Sequence, residues 1–233
     1  MSSRQAETTA ARLVDAAVTS RRSIRGFLPD PVPAVTIREI LAVASRAPSM
    51  TNTQPWRVHV LTGAARDRLA QEICAAHARG EEPEAEYAYY PSEWRSPFID
   101  RRRQIGWALY GLLGIAKGDR EATARQHRRN YEFFGAPVGM IFSMDRGLGH
   151  GSWLDLGMFM QNIMVAARGR GLDTCPQAAF MSYHAIIRRQ LLIPEHQLVV
   201  CGIALGHADP EEPANYLVSP REDVDAFASF LND

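Results

Sequence analysis

The chain predicts an α+β fold, and three observations predict it. Segments with a helical apolar stripe outnumber strand-like runs. At least three runs, near 56–61, 138–143 and 197–205, have the length and apolar pattern of strands. Strands and helices alternate too seldom for a doubly wound parallel sheet. Nothing in the 233 residues resembles a linker, a repeat or a low-complexity tract, so a single domain over 1–233 is expected.

Taken in order, Leu13, Val14, Ala17 and Val18 give Ala10 to Val18 a helix face. Pro29, Pro31 and Pro33 hold the chain extended before a second helix. Its residues Ile37, Ile40, Leu41 and Ala44 form a core stripe, and Thr36 with Glu39 has capping-box spacing. Trp56 to Leu61 alternates as a strand, and Ala64 to about His77 is a helix anchored by Leu69 and Ile73. Gly80 to Pro97, interrupted by Pro83, Pro91 and Pro97, reads as an irregular excursion suited to a lid (about 80–98). A long helix over Ile99–Ala116 and a charged one from Asp119 to Phe134 follow. Val138 to Ser143 is a short buried strand.

Ser152 and Asp155 suit the first turn of a helix reaching Arg168. It is apolar around most of its circumference, so it belongs in the core or at a subunit contact. Ser182 is placed to cap a helix ending at Leu191, Gln197 to Leu205 is the last strand, and Asp223 to Phe230 is a short terminal helix.

Formal net charge is zero, which removes any global electrostatic case for nucleic acid or an anionic membrane. No apolar run reaches the about eighteen residues of a membrane span. Cys74, Cys175 and Cys201 are odd in number and far apart, and the histidines are scattered. Reduced thiols, no metal site and a cytoplasmic location are therefore expected. Lys117 is the sole lysine, so any fixed phosphate contact must use guanidinium forks.

Arg21-Arg22-Ser23-Ile24-Arg25 packs three guanidiniums and a hydroxyl into five residues. In an extended segment Arg21, Ser23 and Arg25 share one side, where they suit a phosphate. A solvated basic turn after a helix accounts for the run equally simply. In Ala47-Pro48-Ser49-Met50-Thr51-Asn52-Thr53-Gln54-Pro55-Trp56, Ser49, Asn52 and Gln54 offer donors and acceptors matched to a heterocycle edge, or merely make turns. Gly147 to Ser152 stands where a dinucleotide fingerprint would, but Ser152 takes the third glycine's place and no acidic strand end follows, so no Rossmann site is assigned. Gly169 to Phe180 leaves the apolar helix through glycines and turns at Pro176. The small residues beyond allow backbone N–H groups close to a flat ring, and Cys175 reads as a buried inert thiol.

The R-R-S-x-R run, A-P-S-x-x-N-x-Q-P-W and the G-L-x-T-C-P-Q turn together resemble the FMN-dependent nitroreductase family over essentially the whole chain. The branch nearest in pattern contains nitrobenzoate and nitroaromatic reductases. The resemblance implies a central mixed sheet flanked by helices in an intertwined homodimer, with FMN at the subunit interface. It implies that Arg21, Arg22, Ser23 and Arg25 hold the phosphate, ribityl and pyrimidine edge, with Arg221 as a second phosphate contact. Pro48, Ser49, Met50, Asn52 and Gln54 would come from the partner subunit, and Pro176, Gln177, Ala178 and Ala179 would line one flavin face. Two positions depart from the pattern: Ala178-Ala179 stand where a glutamate is often found, and Ser219 stands near a missing lysine.

The implied reaction is ping-pong transfer of hydride from NAD(P)H to a nitroaromatic or quinone-like oxidant. No side chain acts as nucleophile, and Arg25 is an electrostatic stabiliser. Tyr90, Trp94 and Phe98, among the aromatic residues of the excursion, are candidates to sandwich a small aromatic substrate, or else to close a small apolar core. Same-fold enzymes of other chemistry (flavin destructase, reductive dehalogenase, ring oxidase) and a non-catalytic flavin-binding protein are the alternatives.

Overall fold

The computed structural model describes residues 3–81 and 84–231, so Pro83 lies outside the described residues. The elements run α1 Ser3–Ser20, α2 Ala34–Ala44, β1 Arg57–Thr62, α3 Gly63–Ala78, α4 Phe98–Leu112 and α5 Arg120–Arg128. After them come β2 Val138–Asp145, α6 His150–Arg168, β3 Asp173–Gln177, α7 His184–Leu191 and β4 Gln197–Gly206. The strands form one sheet in the order β1-β2-β4-β3. Its ladders are all antiparallel where a mixed sheet was expected. Parallel pairing among the described residues is confined to isolated bridges, Ser23 with Thr174 and Glu84 with Tyr183.

The sheet separates two apolar clusters, and the strand period of two decides which side chain enters which. Val138, Met140, Phe142 and Met144 of β2 meet α2 and α6 on one face. Ile141 joins α3, α7, Phe133 and Phe180 on the other. Phe133 and Phe180 stack with centroids 4.5 Å apart, beneath the loop that follows β3. They lie flat on the sheet because Gly139 and Gly202 are beneath them. A Cβ there would come within 2.5 Å of the Phe133 ring and 2.6 Å of the Phe180 ring.

The polar ends of elements differ from the sequence reading more than the apolar stripes do. Helix α2 starts at Ala34 with Pro33 at the N-cap and no capping side chain, so Thr36 and Glu39 lie within the helix. Proline's fixed φ starts that helix without a side-chain cap. Helix α7 starts after Tyr183, and Ser182 caps nothing. The charged helix stops at Arg128. Phe133, Phe134 and Gly135 adopt φ values of 51°, 54° and 82°, which fold Tyr131, Phe133 and Phe134 into the core in place of another helical turn. The terminal helix shrinks to a single 3-10 turn, Val224–Ala226. Phe227 and Phe230 around it are exposed, so no packing supports a helix too short to stand alone. Pro176, read as a turn, is the fourth residue of β3. It is tolerated there because β3 is an edge strand, where a missing N–H breaks no ladder.

The excursion has neither helix nor strand from 84 to 97, yet two neighbouring side chains fasten it. Glu86 accepts a hydrogen bond from Val199 N–H at 2.9 Å, and pairs with Arg188 at 2.7 Å and with Arg146. Burial works to raise its pKa, but the Val199 N–H, Arg146, His184 and Arg188 outweigh it and hold the carboxyl below its ordinary value. Tyr87 Oη donates to Val200 O at 2.5 Å. Val200 is the extra residue of a β-bulge: Phe142 pairs with Cys201 and Ser143 with Val199. The excursion thus satisfies the backbone groups that the bulge leaves open. No helix among the described residues is long and apolar enough to cross a membrane.

Candidate functional site

The basic run is pinned as an extended segment beside the end of β3. Ile24 N–H donates to Thr174 O at 3.1 Å, Phe27 N–H to Phe134 O at 3.2 Å and Leu28 N–H to His207 O at 2.9 Å. Ile24 and Phe27 enter the core, which leaves Arg21, Ser23 and Arg25 half-buried and Arg22 exposed. Buried Asn215 clamps this segment from the far end of the chain. Its Oδ1 accepts from Arg25 N–H at 2.7 Å, and its Nδ2 donates to Gly26 O at 2.8 Å and Asp209 O at 2.9 Å. Gly26 is required for the approach, since a Cβ there would lie 2.3 Å from Cγ of Glu212.

Arg25 and Arg21 are the charges that bear on Cys175. Burial pushes that thiol up to about 11, against the lowering effect of Arg25 and Arg21. It stays protonated and inert near neutral pH, as the sequence suggested. Arg21, Arg22 and Arg25 form no ion pair among the described residues. Two half-buried guanidiniums with no counter-charge make an anion site.

A cleft of about 350 Å³ opens beside them. One wall is Arg25 with Pro176, Gln177, Ala178 and Ala179; the other holds Tyr90, Tyr110, Gln126, His127 and Asn130. Gln177 is buried, donates from Nε2 to Asn130 O at 2.7 Å, and leaves its Oε1 without a partner. The Gln177–Asn130 bond ties the two walls together, and the carbonyl of His127 accepts from Asn130 Nδ2 at 3.0 Å within the second wall. Desolvation, then His77, holds His127 below its ordinary pKa, and its ring meets Tyr131 edge-on. No carboxylate lines the cleft, so Arg25 sets its sign.

The second polar motif lies elsewhere. The Pro48–Gln54 loop is mostly exposed and does not line the cleft. It is nevertheless well defined: Met50 N–H donates to Asp155 Oδ2 at 3.2 Å and Gln54 N–H to Ser49 Oγ at 3.0 Å. Thr51, Asn52 and Gln54 have φ of 45°, 62° and 48°, a left-handed run that costs energy for non-glycine residues. Arg221 is exposed, and its Nη1 turns back on Ser219 Oγ at 2.7 Å and Pro220 O at 2.9 Å. Of the aromatic candidates only Tyr90 lines the cleft. Trp94 stacks under Arg102, and Phe98 is 60% exposed with Arg101 over it. Tyr87 takes the core role left open for this segment, packing on Trp153 with centroids 4.7 Å apart.

Asn215, Asn130, His127 and Tyr110 were not anticipated. Each is polar or aromatic in a stretch without a motif; the tertiary fold brings Asn130, His127 and Tyr110 to the cleft and Asn215 to the backbone of the basic segment. A larger hollow of about 510 Å³ between α4 and α5 holds none of the expected residues.

The nitroreductase family model matches residues 18–207. A 4-nitrobenzoate reductase from Pseudomonas putida is 42% identical over 218 residues, which is 93% of this chain and 95% of that protein. A chloronitrobenzene nitroreductase from Comamonas testosteroni is 40% identical, over 94% of this chain and 97% of that one. Among solved structures, the FMN-dependent nitroreductase NfnB from Mycobacterium smegmatis, in complex with NADPH, superposes with a TM-score of 0.92 at 31% identity. The match covers 96% of this chain and 100% of that one. With its antiparallel sheet, basic segment and β3 cleft, this chain belongs to the nitroreductase family.

Proposed function

We propose that the protein is an FMN-dependent NAD(P)H oxidoreductase that reduces nitroaromatic compounds, and that it works as a homodimer. The observation that carries this reading is the cleft lined by Arg25 and Pro176–Ala179, with Arg21 earlier on the same extended segment and neither arginine in an ion pair among the described residues. The residues present fit FMN. Guanidinium forks suit its phosphate, and half-buried Ser23 stands between Arg21 and Arg25 on the same segment. The unpaired Gln177 Oε1 and the small Ala178 and Ala179 suit a flat ring with polar edges. The cleft volume is in the range of small-molecule sites, about 300–1,000 Å³.

When bound, FMN supplies hydride transfer between a nicotinamide and the nitro group. Arg25, on the cleft wall, would hold positive charge for the ring edge on which reduction deposits negative charge. Ala178 and Ala179 leave room for close stacking, and Tyr90 offers an aromatic face to the substrate. One cleft serving both, with no separate dinucleotide fold among the described residues, would make nicotinamide and nitroaromatic take turns, which is ping-pong order.

The homodimer follows from what one copy leaves open. The Pro48–Gln54 loop carries Ser49, Asn52 and Gln54 into solvent, away from its own cleft. Leu13, Val14 and Val18 of α1 and Leu154 and Met158 of α6 are exposed on helices that pack together. An apolar patch of this kind marks an interface, and a second copy covering it would bring the loop to the neighbouring cleft. Buried, unpaired cysteines suit a cytoplasmic setting.

Anaerobic addition of NADPH to the purified, flavin-loaded protein should bleach its visible absorption, and a nitroaromatic should restore it without a ternary complex. Absorption that NADPH leaves unchanged, or that no nitroaromatic restores, would remove the reading.

A further inference from the structure

Arg102 stands out among the cations of the described residues that are not already employed. Its guanidinium carbon lies 5.2 Å from the ring centre of Tyr90 and 4.7 Å from that of Trp94. Those two rings are themselves 6.0 Å apart, so the guanidinium sits against both of them on one side. Tyr90 lines the cleft, which places Arg102 against a ring of the cleft mouth. Arg102 has no ion pair and no hydrogen bond among the described residues, whereas its neighbour Arg101 is tied to Glu222 at 2.8 Å.

Stacking on aromatic faces occupies the flat sides of a guanidinium and leaves its N–H edge available. An edge held in place but unpaired is suited to bidentate contact with a carboxylate. The cleft lining carries no carboxylate that would repel an anion, and Arg25 adds a second positive charge deeper inside.

From this we propose that Arg102 is a specificity-determining residue. It favours nitroaromatics bearing a carboxylate over neutral ones by receiving that carboxylate at the mouth of the cleft. The inference rests on the reading of the cleft as the nitroaromatic site.

The test compares the wild-type holoenzyme with Arg102→Gln and Arg102→Lys, using 4-nitrobenzoate and nitrobenzene as oxidants. The readout is the ratio of their kcat/KM values. Arg102→Gln should lower the 4-nitrobenzoate to nitrobenzene ratio roughly tenfold, as expected for losing charge-assisted hydrogen bonds. Added salt should lower the wild-type ratio and leave that of Arg102→Gln nearly flat. Arg102→Lys keeps the charge without the fork and should fall between.

Equal losses for both oxidants, or an unchanged ratio, would overturn the role of Arg102 while leaving the nitroaromatic reading intact. If Arg102→Gln binds no flavin, Arg102→Lys decides by the same ratio. A wild-type holoenzyme that NADPH reduces but neither compound reoxidises would overturn the reading of the cleft, and this inference with it.

Discussion

Arg21→Ala will yield a folded protein that purifies without flavin. Arg21 is half-buried, lies on the same segment as Arg25, and makes no hydrogen bond or ion pair among the described residues. Its removal therefore costs the apoprotein little. Against a bound phosphate the same truncation leaves a desolvated anion short of one partner, at a cost of about 2–5 kcal/mol. That corresponds to a loss of affinity from roughly 30-fold to several thousand-fold. Fluorescence titration with FMN measures the loss, and thermal melting of the two apoproteins provides the control. An unchanged flavin affinity, or a loss matched by an equal fall in apoprotein stability, would contradict the assignment of Arg21 to the phosphate.

Asn215→Ala should damage fold and site together. Asn215 is 7% exposed and satisfies three backbone groups: Arg25 N–H, Gly26 O and Asp209 O. Alanine replaces none of these bonds, and each buried group left unpaired costs about 1–3 kcal/mol before relaxation. A net loss of about 3 kcal/mol lowers Tm by roughly 6–12 °C for a chain of this size. Because the clamp fixes Arg25 and Gly26, flavin affinity should fall too, although Asn215 does not line the cleft. Asn215→Asp keeps the acceptor for Arg25 N–H but turns a carboxylate oxygen toward Gly26 O and Asp209 O, so it should be no milder than alanine. Melting curves for Asn215→Ala that overlay the wild type would show that the clamp contributes nothing.

These two variants also separate what the sequence made legible from what it did not. Arg21 belongs to a local pattern, two cations and a serine at alternating positions, and that pattern stayed intact because Ile24 and Phe27 pin the segment as an extended chain. The apolar stripes were legible for the same reason. Ile37, Ile40 and Ala44, or Val138, Met140 and Phe142, carry their period in the sequence itself, and burial follows it. Asn215 carries no such signal. It acts on residues 190 positions away, and nothing beside it in sequence indicates a clamp.

The element ends failed for a related reason. Thr36, Ser182 and the Asp119–Phe134 helix were read from local propensity, whereas Pro33, Tyr183 and the buried Phe133–Phe134 pair decide the boundaries through geometry and packing. Arg221 and Phe98 show a further limit. Both sit in exposed segments whose contacts within one copy say little about what a second copy would bring to them.

The central claim is that distant segments of two copies of this chain enclose one FMN, the basic segment and β3 end from one and the Pro48–Gln54 loop from the other. Sedimentation of the holoprotein over a dilution series, followed at the flavin's visible absorption, tests it most directly. The account predicts that flavin travels with the dimer alone and appears as free FMN once dilution yields monomer. Visible absorption that sediments with a monomer would contradict it.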